Sequence, residues 1–188
     1  MSRVRNPPPG YPAAYETYLS LDDGARVWVR PILPSDRPEL VRAIRSADPA
    51  DLRNRFMGGA PPTSRAALVR LTVLDYRDRF ALVARAGGRG IAVARYSRLE
   101  EPDEDGAVTA ELAVAISPSW RHLGLATGLI HLLAQRALEC GIASFTAEFL
   151  SRNQQVVELA NRARVAIVVD NSESSLHARL DPTEPPTA

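Results

Sequence analysis

Between Glu111 and Glu139 the chain changes its repeat, and that change restricts the fold more than any other feature. Glu111-Leu112-Ala113-Val114-Ala115-Ile116 reads as a strand, and Pro118 stops it. Beyond a short loop, Leu125, Leu129, Leu133 and Ala137 recur every fourth residue, beside a polar row of Thr127, His131, Gln135 and Glu139. That spacing predicts a long amphipathic helix beginning near Leu123 or Gly124 and ending at Gly141. A strand handed to such a helix through a tight loop is the joint of an α/β sheet.

Similar patterns run through the rest of the chain. Asp22-Asp23-Gly24 is a turn signal, and Ala25 to Arg30 alternates as a strand. RPELVRAIRS puts Leu40, Val41 and Ile44 on one helical face, with Ser35 or Asp36 as cap. Further helices are expected over Pro49 to Phe56 and Arg65 to Asp75. Phe80 to Arg85 and Gly90 to Tyr96 read as a hairpin turning at Ala86-Gly87-Gly88-Arg89. After the long helix come a strand (Phe145 to Leu150), a helix (Asn153 to Arg162) and two strands (Val165 to Val169, Leu176 to Leu180). The class is α/β, a mixed sheet with helices on both faces. The reading divides the chain into a Pro-rich arm (1–17), one domain (18–181) and a tail (182–188). NPPPGYP opposes regular structure, so the arm is read as flexible or extended, the alternative being packing through Tyr11, Tyr15 and Tyr18.

Composition narrows the partners. An apolar fraction of 45% over 188 residues supports a real core, and a formal charge of +1 argues against a general nucleic-acid binder. Cys140, the single cysteine, excludes an internal disulfide, and no Cys/His or carboxylate cluster has metal-site spacing. No signal core or membrane-length apolar run is present, so a cytoplasmic protein without membrane partners is expected.

The loop Ser117-Pro118-Ser119-Trp120-Arg121-His122-Leu123-Gly124 carries the chemistry. Free N–H groups of a first helical turn, and the helix dipole, favour a phosphate. Gly124 would let it approach the backbone, small Ala126 would allow the same one step later, and Arg121 adds positive charge. The plain alternative is an ordinary tight turn. The pattern is neither a Lys-Ser/Thr phosphate loop nor a three-glycine dinucleotide fingerprint.

This segment resembles the coenzyme A loop of the GCN5-related N-acetyltransferases (GNAT). Arg121, Gly124 and Ala126 match its motif, Trp120 stands in a commonly aromatic position, and Asn153 matches an asparagine that helps hold the pantetheine arm. The resemblance covers about residues 21–180. It is closest to the bacterial protein lysine acetyltransferases, on Leu21 to Gly24, Val29-Arg30-Pro31-Ile32, Asp36, Arg55-Phe56 and Ala110 to Val114. It implies the GNAT fold and acetyl-CoA, held by Ala113, Val114, Ala115, Ile116, Arg121, His122, Leu123, Gly124, Leu125, Ala126, Thr127 and Asn153. It also implies a wedge between that family's fourth and fifth strands, where a backbone N–H around Ala113 to Ala115 faces the thioester oxygen. Glu111 is implied as general base, improved by partial burial; the plain reading is a strand-end carboxylate in solvent. The sequence departs from the family at Ala160, where many members carry an acid tyrosine, and at Arg164, where glycine and an aromatic are usual. The cyclic-nucleotide-binding and CoA-ligase-like regions often joined to such domains do not fit in 188 residues.

Three functions stay open at this point. The first is acetylation of a protein lysine in an open, shallow groove flanked by the acidic loop Glu100 to Asp105. The second is acetylation of a small amine (polyamine, amino acid or aminoglycoside) in a closed pocket. The third is a non-catalytic acyl-CoA-binding module. A homodimer is compatible with each.

Overall fold

Gly87 and Gly88 take left-handed angles, with φ of 54° and 79°, and turn the chain between its two long central strands. These are β3 (Arg79–Ala86) and β4 (Arg89–Arg98), the predicted hairpin extended at both ends, with Ala86 and Arg89 paired in the strands and the turn reduced to Gly87-Gly88. The computed structural model describes residues 4–49, 52, 63–103, 105–148, 166–169 and 175–180. The other strands are β1 (Thr17–Ser20), β2 (Arg26–Pro31), β5 (Thr109–Ile116), β6 (Ser144–Glu148), β7 (Ala166–Val169) and β8 (Ser175–Arg179). They form one eight-stranded sheet in the order β1-β2-β3-β4-β5-β6-β8-β7. Every pairing is antiparallel except β5 with β6.

Helices cover both faces. On one lies α3 (Leu125–Glu139), whose Leu125, Leu129, Leu133 and Ala137 are all buried in the main core. Burying each leucine contributes roughly 1.5–3 kcal/mol. Gly141, at φ 77°, closes the helix. The opposite face carries α1 (Arg37–Ser46) and α2 (Arg65–Thr72), over a smaller cluster of Ile32, Ala81 and Val83. Two ion pairs anchor α1. Arg30 grips Asp36 with both terminal nitrogens (2.7 and 2.5 Å), and Arg85 binds Glu39, which also accepts the Gly90 N–H (2.7 Å). The expected helix over Pro49 to Phe56 falls largely, and that over Asn153 to Arg162 wholly, outside the described residues.

The amino-terminal segment departs from the flexible arm read in the sequence. A 3₁₀ turn at Ala13–Tyr15 leads into β1, a strand the sequence reading did not contain. Tyr11 and Tyr15 are 9% and 5% exposed and join the main core. Their rings pack edge-on against Tyr76 and Phe80, with centroids 5.6 and 5.4 Å apart. Packing through the tyrosines is thus what the described part of residues 1–17 does, although Tyr18 itself stays exposed under the Arg26 guanidinium.

Candidate active site

Strands β5 and β6 run together for only three residue pairs: Thr109 with Ser144, Ala110 with Phe145, and Glu111 with Thr146. Beyond them β5 continues to Ile116 beside β4 alone, while β6 continues beside β8. The sheet therefore opens at Glu111.

Backbone alternation decides what faces the opening. The Leu99 N–H donates to the Thr109 carbonyl (2.9 Å), and the Ser117 N–H donates to the Ile91 carbonyl (2.8 Å). Odd-numbered residues of β5 thus address β4. The Val108 carbonyl accepts from Ala143 on the other side (2.8 Å). The even-numbered residues Leu112, Val114 and Ile116 therefore turn their N–H and C=O groups into the gap. Of the expected donors Ala113 to Ala115, this geometry selects Val114. Side chains alternate across the faces: Leu112, Val114 and Ile116 pack on the main core, and Glu111 and Ala113 face the α1–α2 side.

On that side Glu111 and Ala113 line an open cleft of about 180 Å³ with Arg95, Ser97 and Leu71. The Ser97–Glu111 and Arg95–Ala113 cross-strand pairs bring these groups together. Arg95 donates to the Leu71 carbonyl at the end of α2 (2.8 Å). Glu111 is exposed and makes no hydrogen bond or ion pair with a described residue. The expected partial burial is absent, because the carboxylate stands where β6 leaves and nothing described covers it. Asp103 also departs from a simply solvated acidic loop. Its carboxylate accepts the Ala107 N–H (2.7 Å) and reaches Thr109 and Ser144 (3.4 Å each).

The cofactor loop follows β5. A 3₁₀ turn at Pro118–Trp120 leads to Arg121, whose Nε donates to the Ile116 carbonyl (3.2 Å) and folds the loop back over the strand end. His122 and Gly124 are both left-handed, with φ of 61° and 77°. The first intrahelical bond runs from the Gly128 N–H to the Gly124 carbonyl (3.1 Å). Among the described residues, the N–H groups of His122, Leu123, Gly124, Leu125, Ala126 and Thr127 have no acceptor. Free amides in the first turn of a helix, Leu125 to Thr127 here, are groups that favour an anion.

One residue of the loop carries a contact that the sequence did not reveal. A Cβ on Gly124 would lie 2.9 Å from Asp22 Oδ1, in the β1–β2 turn. Asp22 therefore occupies the Cβ side of Gly124, so backbone angle and that contact both call for glycine here. Gly128 repeats this one turn later, where a Cβ would meet Leu19 at 2.8 Å. No sequence signal marked Asp22 as a neighbour of the loop, because the contact joins elements about a hundred residues apart.

Tyr96 is not a substitute for the missing acid tyrosine. It is buried on the α3 side and its hydroxyl donates to the Arg77 carbonyl (2.9 Å); burial, then the nearby Cys140, push its ionisation upward. Asn153, Ala160 and Arg164 lie outside the described residues.

A sheet that opens beside a cradle of free amides is the architecture of an enzyme that lays a phosphorylated donor along a strand edge. The chain belongs to the acetyltransferase (GNAT) family, whose sequence pattern matches residues 48–164. It is an acetyltransferase with acetyl-CoA as acyl donor. Acetyltransferase PA5475 of Pseudomonas aeruginosa is 29% identical over 144 residues, 74% of this chain and 75% of that protein. Acetyltransferase Pat of Mycolicibacterium smegmatis is 29% identical over 141 residues, but the match spans only 41% of that protein. The GNAT domain of S. lividans PAT superposes with a TM-score of 0.80 at 29% identity, over 90% of this chain and 99% of that one. The residues present are of the kind such a donor needs: free amides at the start of α3 suit phosphates, and the unpaired edge of β5 has groups suited to an amide-bearing arm. Among the described residues, no helix is long and apolar enough to cross a membrane.

Proposed function

We propose that the protein acetylates the side-chain amine of a protein lysine, with Glu111 as the general base. The observation that carries this reading is the unpaired Glu111 carboxylate at the point where β5 and β6 part. Bound acetyl-CoA supplies the activated thioester. Glu111 accepts the ammonium proton of the acceptor, directly or through a water, and frees the nitrogen lone pair for attack; as the C–N bond forms the C–S bond breaks, coenzyme A departs as its thiolate, and the remaining excess proton on nitrogen passes to solvent. The Val114 N–H, turned into the gap, donates to the acyl oxygen as negative charge develops there. The amides of His122 to Thr127 hold the phosphates, with Arg121 fixing the loop by its bond to Ile116. Asn153 is assigned to the pantetheine arm by the family resemblance.

The open cleft favours an extended lysine over a small enclosed amine. The resemblance of Leu21 to Asp36 and Ala110 to Val114 to bacterial protein lysine acetyltransferases supports the same acceptor.

The test is Glu111→Gln. It should bind acetyl-CoA as wild type does by calorimetry, while turnover of a lysine peptide falls about 10²-fold or more. The loss should deepen at low pH, where the amine is more fully protonated. Equal turnover in the two proteins would falsify the base assignment. A panel of polyamines, amino acids and aminoglycosides beside the peptides decides the acceptor, since acetylation of small amines alone would overturn the lysine reading.

A further inference from the structure

The cofactor loop has an acidic neighbour that the reaction does not use. Asp22 sits in the β1–β2 turn, held by the bonds of Leu21 N–H to the Ala25 carbonyl (2.8 Å) and Gly24 N–H to the Leu21 carbonyl (2.9 Å). Its own N–H donates to the Leu123 carbonyl (3.1 Å), which ties the turn to the cradle. Its carboxylate lies against the Cα of Gly124, in the space a Cβ would take. That carboxylate is exposed and makes no hydrogen bond or ion pair with a described residue. The arrangement sets a negative charge at the end of the helix that attracts anions, beside amides meant for the donor's phosphates.

We propose that Asp22 is a positioning residue that lowers the affinity of the cradle for acetyl-CoA. Its backbone fixes the loop, while its charge satisfies part of the helix N-terminal potential before the donor arrives and opposes the pyrophosphate once it is there. Both effects have the same sign for binding. A weaker grip on the donor side also eases release of coenzyme A after transfer.

The experiment measures binding by the whole protein, so it stands whichever acceptor the enzyme uses and whether or not Glu111 is the base. Acetyl-CoA is titrated calorimetrically into wild type, Asp22→Asn, Asp22→Ser and Asp22→Glu at about 0.05 and 0.5 M salt. A charge in the first turn of an exposed helix changes an equilibrium by about two- to five-fold at low salt. The Asn and Ser variants should bind tighter than wild type by that factor, and the Glu variant should not. The gap should narrow at high salt, where the Debye length falls to a few ångström. A side chain that served only to pack against Gly124 would give weaker or unchanged binding in Asn and Ser, with no salt dependence. That outcome overturns the proposal. Absence of acetyl-CoA binding by folded wild type would remove the cofactor and this proposal together.

Discussion

His122 and Gly124 stand two residues apart in the same left-handed region, and only one of them is a glycine. A side chain there costs roughly 1 kcal/mol, which His122 bears with its ring exposed. Gly124 could not do so as easily, because its Cβ would also meet Asp22. Gly124→Ala is therefore expected to destabilise the fold by about 1–2 kcal/mol in denaturant melts and to weaken acetyl-CoA binding. Unchanged stability would show that the turn yields freely. The motif spacing in the sequence picked out Gly124 for room beside a phosphate, and the structure adds a second demand for glycine there, the Asp22 carboxylate where a Cβ would stand. Spacing along a chain carries no vector. For the same reason the sequence could offer Ala113 to Ala115 as a group but not choose Val114, since the choice depends on which partner strand each amide addresses.

At the scale of elements, long periodic segments were legible and short composite ones were not. Helix α3 declares itself by four apolar residues at fixed spacing, and β3–β4 by two apolar runs about a Gly-Gly turn. β1 has four residues with alternating partial burial, too short a pattern to stand out beside a proline-rich stretch. The 3₁₀ turn before it closes on local backbone bonds, Tyr15 N–H to the Pro12 carbonyl and Glu16 N–H to the Ala13 carbonyl, and docks through Tyr11 on Tyr76 and Tyr15 on Phe80. Tyr15→Ala should accordingly cost about 3 kcal/mol, the scale of removing a buried aromatic side chain. The measurement is a urea melt, and a loss below about 1 kcal/mol would mean that the segment rests on the sheet without supporting it. The parting of β5 from β6 was available only through the family resemblance, because a lost hydrogen-bond register leaves no mark on composition.

The molecule as a whole depends on acid pH through α1. Burial tends to raise the Glu39 carboxyl, but the Gly90 N–H and then Arg85 outweigh it and hold the group below its ordinary value of 4.5. A depressed carboxyl stabilises the fold fully above that ordinary value, and the contribution fades as pH falls below it. The melting temperature of wild type should exceed that of Glu39→Gln at about pH 7, and the difference should shrink as the pH falls below 4.5. A difference that stayed constant with pH would assign the effect of the substitution to shape. Asp36 and Arg30 would then remain as the ionic tie between β2 and α1.

The docking of the β1–β2 turn on the start of α3 has a mechanical side. Leu19 on Gly128 and Asp22 on Gly124 make the first two strands the long arm of a lever, and the donor loop is its short arm. An insertion between Ser20 and Arg26 would shift Asp22 against Gly124 without altering any residue of the loop itself. The outer edge of the sheet is thus joined directly to the loop that opens the long helix.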